Sequence, residues 1–424
     1  MDLHKLLDTT YRAFQEQISQ ARILLLHPRS RYRSVMVARL INTSDYLTFY
    51  YAMGHDDINL PSFVSGLTHD LANQHPTFGR HTNTLLPSDY EQDITPLLDA
   101  FTRDLAEISD QPFLLILDEY DRSDSADDIQ LFVEKLVGWL PDNCRLVLNS
   151  RTLPRLPWVS LISRRWAVLL EDDQLIRSNF YGLLREGKDK LVVSALGPGG
   201  VLINGKAVDN WEGHLPRLLF FFALDKPVIT RSEICRAFWP ELDTDQAVNV
   251  FHVTKRRLHK AMDSDSLVHE DGYYCINPDM NVEYDIIEFV TALMAGRDES
   301  NPKRVASWQK VIDLYKGPFL QGHTDSWIVE RRLDYQAGYL EALIEMARVR
   351  LADERPEAAL SLFQRALAED ISYEDIHREV MQLFAHMGRR SEAAAHFQKM
   401  EDDYKKQGWV ISDETRQLYQ NIMS

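Results

Sequence analysis

Residues 247–262 read AVNVFHVTKRRLHKAM. Within them Lys255, Arg256, Arg257 and Lys260 supply four cations, His252 and His259 supply two imidazoles, and no acid intervenes. Ala247, Val250, Phe251, Thr254, Leu258 and Ala261 recur at helical spacing and predict a buried face. His252, Lys255, Arg256, His259 and Lys260 spread over the other face, and Arg257 falls cleanly on neither. Such a cationic face suits an anionic groove, and a solvated basic face without a partner is the alternative. The chain as a whole has the opposite sign. Its 64 Asp and Glu against 47 Lys and Arg give a formal net charge of -17. A chain this acidic does not coat nucleic acid indiscriminately, so any DNA contact must be local.

With 424 residues, 45% of them hydrophobic, the chain is long enough for several domains, each with a core of its own. No apolar run approaches the roughly 20 residues of a membrane span. The opening MDLHKLLDTTYRAFQEQISQ reads as a polar amphipathic helix rather than a signal sequence, which predicts a cytoplasmic protein without a membrane partner. Cys144, Cys235 and Cys275 are widely separated and form no CxxC pair, so ordinary packing is expected rather than a disulfide framework or a zinc site. Neither a metal nor a cofactor is expected.

In residues 1–180 the apolar strand RILLL (22–26) runs into HPRSRYRS (27–34) and the helical stretch VMVARLI. Strand, loop and helix in this order are the layout of a phosphate-binding loop. Overlaying GxxxxGK[ST] sets His27 and Tyr32 at the glycine positions, Arg33 at the lysine and Ser34 at the serine. The loop needs glycine for its backbone conformation and for close approach of phosphate, and both glycines are missing. Arg33 is also a planar fork where a compact ammonium is wanted. Arg29, Arg31 and Arg33 are left either to another anionic ligand or to surface acids.

Further on, FLLIL (113–117) ends at Asp118 and Glu119, an acidic pair at the carboxyl edge of a parallel strand. RLVL (145–148) and WAVLL (166–170) add two more strands. With SRTLPRLPW (150–158), this order resembles the ATPase core of STAND regulators over about the first 170 residues. The resemblance implies that Asp118 would hold magnesium and Glu119 would position water. The lost glycines make the expectation a retained scaffold with no catalytic residues. The polar stretch LIRSNFYGLLREGKDK (175–190) reads as a linker, where a full STAND ATPase would carry a helical lid.

Residues 190–280 begin with short strands and tight turns: LVVSAL (191–196), GPGG (197–200), Val201 to Ile203, an Asn204-Gly205 turn, Lys206 to Val208, and Trp211. HLPRLLFFFAL (214–224) is a very apolar helix. Thr230, with Glu233 at the capping-box position, starts a second helix running to about Phe238. After the loop ELDTDQ comes the basic helix, and a hairpin about Asp271-Gly272 closes the segment.

This succession resembles the OmpR-type winged helix along its whole length, through LGPGGVLINGKAV, RSEICRAFWPE, the basic helix and DGYYCINP. In that family the third helix enters the major groove, and the hairpin wing touches the minor groove or backbone. Carried over, Lys255, Arg256, His259 and Lys260 are candidate groove contacts, with His252 near the entering end and Arg257 beside them. Thr230 at its helix N-terminus suits a phosphate, because free N–H groups converge there. His269, Tyr273 and Tyr274 stand on the wing, with a place in the core as the alternative.

Residues 281–424 read as a helical repeat domain, helical throughout from Tyr284. ERPEAALSLFQRAL (354–367) and RRSEAAAHFQKM (389–400) align at an offset near 35 residues, close to the tetratricopeptide period. Ala358, Ala359, Ala393 and Ala394 would allow close packing, and Phe363 and Phe397 would fill the gaps. Stacked pairs of this kind create a surface suited to a protein or peptide ligand, or act as a spacer. Leu314, Tyr315, Gly317, Phe319 and Leu320 resemble the LY-x-G-x-x-L turn of the bacterial transcriptional activation domain. Trp327 and Arg331 resemble its W-x-x-x-R helix. An OmpR-type winged helix followed by that domain is the order in SARP-type regulators, and the joint resemblance covers about residues 191–424.

The expected architecture is an α/β P-loop-like parallel sheet, then a winged helix, then an all-α tetratricopeptide-like domain. The resemblance implies a transcription regulator rather than an enzyme, binding double-stranded promoter DNA and contacting RNA polymerase. A homodimer is left open. Two alternatives stand beside it: a switch driven by a nucleotide or other phospholigand, and an interaction scaffold whose winged helix does not bind DNA.

Overall fold

The computed structural model describes residues 11–12, 14–18, 21–26, 28, 30, 33–42, 46–85, 93–170 and 190–424. His27, Arg29, Arg31 and Tyr32 of the loop, and residues 175–189 of the expected linker, lie outside the described residues. Two compact units result, Met1–Val193 with Gly200–Glu283, and Ser194–Gly199 with Tyr284–Ser424.

The first unit opens with helical residues whose Tyr11, Phe14 and Ile18 pack on the sheet. Then come β1 (Ile23–Leu26), α1 (Arg33–Asn42), β2 (Leu47–Ala52), α2 (Leu60–Gln74), α3 (Thr95–Ala106), β3 (Phe113–Asp118), α4 (Asp127–Trp139), β4 (Cys144–Asn149), α5 (Trp158–Ser163) and β5 (Ala167–Leu170). The strands form one sheet in the order β2-β3-β4-β1-β5, and β1 with β4 and β5, β2 with β3, and β3 with β4 all pair parallel. β1 and β3 are continuous apolar runs because helices cover both faces of a parallel sheet. All four residues of β1 are buried. Leu26 pairs with Asn149 of β4, and Asp118 pairs with Ala52 of β2. The carboxyl ends of β1, β3 and β4 thus meet where sheets of this kind hold ligands.

The same unit continues with β6 (Lys190–Ser194), β7 (Gly200–Ile203), β8 (Lys206–Ala207), α6 (Leu215–Asp225), α7 (Arg231–Phe238), α8 (Thr244–Met262), β9 (Leu267–Glu270), β10 (Tyr273–Ile276) and β11 (Asn281–Tyr284). β11 joins the platform as β11-β6-β7-β8, while β9 and β10 pair as a separate hairpin. Asn204 and Asp271 both adopt positive φ, 49° and 51°, each followed by a glycine, which lets those turns close. α6 packs on α8 and β10, and α7 packs on α8.

Two features differ from the sequence reading. α8 begins at Thr244 rather than after ELDTDQ, because the Asp243 carboxylate accepts from Gln246 N at 2.9 Å and caps the helix inside that loop. Trp211, read as extending the first strands, lies outside every strand.

The second unit is helical: α9 (Asp285–Arg297), α10 (Arg304–Leu314), α11 (Ser326–Ala352), α12 (Pro356–Glu369), α13 (Glu374–His386), α14 (Arg390–Gln407) and α15 (Asp413–Met423). Successive helices pack on one another. Ala359 and Ala393 are completely buried and Phe363 and Phe397 join the same core, at one spacing of 34 residues. Ala358 is exposed and Ala394 half-buried. Only one alanine of each pair faces the neighbouring helix, since adjacent residues on a helix point about 100° apart. Tyr315 stacks on Tyr339 with ring centroids 4.1 Å apart, and Phe319 packs against Trp327 and Tyr335.

Candidate nucleic-acid interface

α8 buries Ala247, Phe251, Thr254, Leu258, Ala261 and Met262. Val250 is only half-buried. His252, Arg256, Arg257 and Lys260 are exposed, and Lys255 is half-buried, with its Nζ 5.2 Å from the centre of the Tyr274 ring. Burial pushes the Lys255 ammonium below its usual range. Lys260 and Arg257 both turn to Glu212, at 2.5 Å and 3.4 Å. The Lys260 bond holds the Glu212 carboxyl below the usual range. His259 departs from the open face: Nδ1 lies 2.9 Å from Asp265 and Nε2 lies 3.1 Å from the Leu267 carbonyl oxygen. Its ring ties the end of α8 to β9, and burial lowers its pKa, with Lys255 adding to the effect. His252 and Arg256 are exposed on this helix, whereas Lys260, itself exposed, leans to Glu212.

The hairpin places Tyr274 in the core, where it packs on Phe251 with centroids 5.0 Å apart. Tyr273 points the other way. Its hydroxyl donates to the Asp124 carbonyl at 2.9 Å, and the Arg155 guanidinium lies 5.6 Å from its ring centre. Thr230 caps α7 with the capping box expected from Glu233, and its hydroxyl also donates to Asp127 at 2.6 Å.

These two residues meet a buried charge network that sequence reasoning missed. Arg155 donates to Glu233 at 2.5 Å and to Asp127 at 2.8 Å, and Lys226 bridges Glu134 at 2.8 Å and Glu233 at 3.1 Å. Burial of Arg155 would lower its pKa, but the carboxylates of Glu233 and Asp127 outweigh that and raise it. Burial raises the pKa of the neighbouring Asp124.

At the sheet edge, Arg33 folds back and donates to the carbonyl oxygens of Pro28 and, at 2.8 Å, Ser30. A phosphate loop offers N–H groups to its ligand, whereas here a cationic side chain gathers the carbonyls. Ser34 is exposed on the first turn of α1. Asp118 accepts from Asn149 at 2.6 Å, Tyr50 at 2.8 Å and Glu119 N at 2.8 Å. Glu119, at φ 53°, pairs with Arg122. The acidic pair is thus engaged by the protein's own donors.

In the helical unit a groove of about 420 Å³ is lined by Leu367, Phe384 and Met400 beside His377, His396 and Lys399. His377 Nδ1 lies 2.9 Å from His396 Nε2. Burial, with His377 and Lys399 adding to it, pushes His396 down to about 4.

Residues 284–423 match the family model described as the bacterial transcriptional activator domain. That segment takes in α9 to α15. No curated protein matches the chain. Among solved structures, the chain is similar to Mycobacterium tuberculosis EmbR in complex with a low affinity phosphopeptide, at 16% identity and a TM-score of 0.47 over 56% of this chain and 65% of that one. It is also similar to a signal transduction ATPase with numerous domains from Pyrococcus horikoshii that carries a tetratricopeptide repeat sensor. There the identity is 12% and the TM-score 0.28, over 94% of this chain and 64% of that one. A third likeness, to Drosophila ORC bound to AT-rich DNA and Cdc6, has 10% identity and a TM-score of 0.25, over 65% and 88% of the two chains. The chain spans less than two thirds of the length of the first two. Among the described residues, no helix is long and apolar enough to cross a membrane.

Proposed function

We propose that this chain is a sequence-specific, DNA-binding transcription regulator of the SARP type, acting as an activator rather than an enzyme. The observation that carries the reading is the match of residues 284–423 to the bacterial transcriptional activator domain, directly after a segment with a cation-rich helix exposed beside a hairpin. Strands, three helices and a hairpin in that order support a winged helix, with α8 as the groove helix and β9–β10 as the wing. Arg256 then reads a guanine edge or a phosphate, and Lys255 and His252 flank it. Lys260 and Arg257 lie beside the backbone, where the Glu212 carboxylate holds them from phosphate. The helical unit, of tetratricopeptide type, contacts RNA polymerase. The α/β layer is a P-loop relic that serves as a scaffold, consistent with Arg33 on the loop carbonyls and an engaged Asp118.

The test is selection of sequences from a randomised duplex pool by the full chain. Convergence on one motif, lost in Lys255→Ala/Arg256→Ala, supports the reading. A recovered pool no different from the input would overturn it.

A further inference from the structure

α4 begins at Asp127, yet the Asp127 carboxylate serves groups far along the chain, accepting from Thr230 Oγ1 at 2.6 Å and from Arg155 at 2.8 Å. Thr230 is the N-cap of α7. A helix N-terminus favours an anion, because its first N–H groups have no partner within the helix and the dipole is positive there. In the proposed complex that anion is a DNA phosphate. In the free chain, a carboxylate oxygen already sits at hydrogen-bond distance from the cap hydroxyl. On the hairpin, Tyr273 gives its hydroxyl to the Asp124 carbonyl, at the foot of the same helix. Lys226, in the turn before α7, is held by Glu134 of α4.

We propose that the α/β layer mimics a duplex backbone, with Asp127 and Glu134 standing where phosphates would lie at Thr230 and Lys226, so that the layer and DNA compete for one face. This rests on the DNA-binding reading above. The network has the composition of a reversible contact. Arg155 and Lys226 face Asp127, Glu134 and Glu233, so two bases meet three acids, all largely buried. A buried ion network adds little net stability but fixes register, since loss of any one partner strands the others. Polar interfaces within a chain are the kind that open. A duplex would exchange phosphate for carboxylate at Thr230 and Lys226, contact for contact. Meanwhile His252 and Arg256 stay exposed on α8, so first encounter with DNA does not need the layer to move.

The experiment compares the full chain with Asp127→Ala, a residue outside the proposed DNA contacts, using the randomised duplex pool as probe and hydrogen exchange as second readout. In the variant, duplex should bind about tenfold tighter, as expected if roughly nine in ten wild-type molecules are closed. Without DNA, exchange should rise in Arg231–Phe238 and Tyr273–Ile276, while β1, β3 and β4 keep their protection. Should those strands lose protection, Arg155→Met is read in the same way. Equal affinity and equal exchange in wild type and variant would overturn the masking and leave DNA binding standing. If exchange rises but neither protein retains duplex, the DNA reading falls and takes the competition with it.

Discussion

Arg155 Nη1 lies 2.5 Å from Glu233 Oε2, and 2% of the arginine side chain reaches solvent. The two residues are 78 positions apart, and they join the α/β layer to the helix that starts at Thr230. Removing one partner of such a pair strands the other for as long as the contact stays closed. Because the contact opens, Arg155→Ala should destabilise the first unit in urea titration by only about 1 kcal/mol, the free energy of a contact closed in roughly nine of ten molecules. Adding Glu233→Gln should recover part of the loss, because the stranded charge is gone. Two losses that simply add would mean that the residues are not coupled.

Glu212 holds both Lys260 and Arg257. In Glu212→Gln those cations become available to phosphate, and each added phosphate contact steepens the logarithmic salt dependence of binding by about 0.9. The slope should therefore steepen by roughly 1–2. An unchanged slope would show that neither cation reaches the duplex.

Asp285 accepts from Ala195 N and Leu196 N at 2.8–3.0 Å, and burial raises its carboxyl to about 6. The folded chain keeps this proton to higher pH than the unfolded chain, whose value is about 3.8. Its stabilising contribution is thus complete below about 3.8 and is lost as pH rises through about 6, on the order of 3 kcal/mol in all. Asp285→Asn keeps an acceptor without the titration. Denaturation of both proteins from acid to neutral pH should show wild type losing ground to the variant over that window. A constant difference would contradict this.

Gly296 lies in α9 against Trp308, and a Cβ there would sit 2.7–2.9 Å from three atoms of the indole. Trp308 is fully buried and cannot step aside. Gly296→Ala should cost about 1–3 kcal/mol by overpacking, read as a lower melting temperature. An unchanged melting temperature would mean that the helix pair relaxes freely.

Asp118 receives three hydrogen bonds from its own chain, and Arg33 occupies the carbonyls of Pro28 and Ser30. Magnesium and ATP should leave the melting temperature where it is, whereas Asp118→Ala should lower it by orphaning Asn149 and Tyr50. A rise in melting temperature with the nucleotide would point to a working phosphate site.

What could be read from the sequence was local. Continuous apolar runs announced β1, β3 and β4, Asn204-Gly205 and Asp271-Gly272 announced hairpins, and the period of Phe251, Thr254 and Leu258 announced the buried side of α8. β2 was missed because LTFYYA alternates buried and open residues at the sheet's edge and looks like neither a core strand nor a helix. β11 was missed because four residues after a turn carry too little pattern. The Arg155 network was invisible for another reason: its partners lie 28 and 78 positions away, and no periodicity spans such separations. Thr230 was legible as a cap, but not as a residue already facing a carboxylate.

The central claim is tested most directly by capturing genomic DNA with the purified 424-residue chain and with its Lys255→Ala/Arg256→Ala variant. The account predicts a limited set of enriched sites sharing one motif, all lost in the variant. Enrichment unchanged by the double substitution, or no enrichment by the wild-type chain, would contradict it.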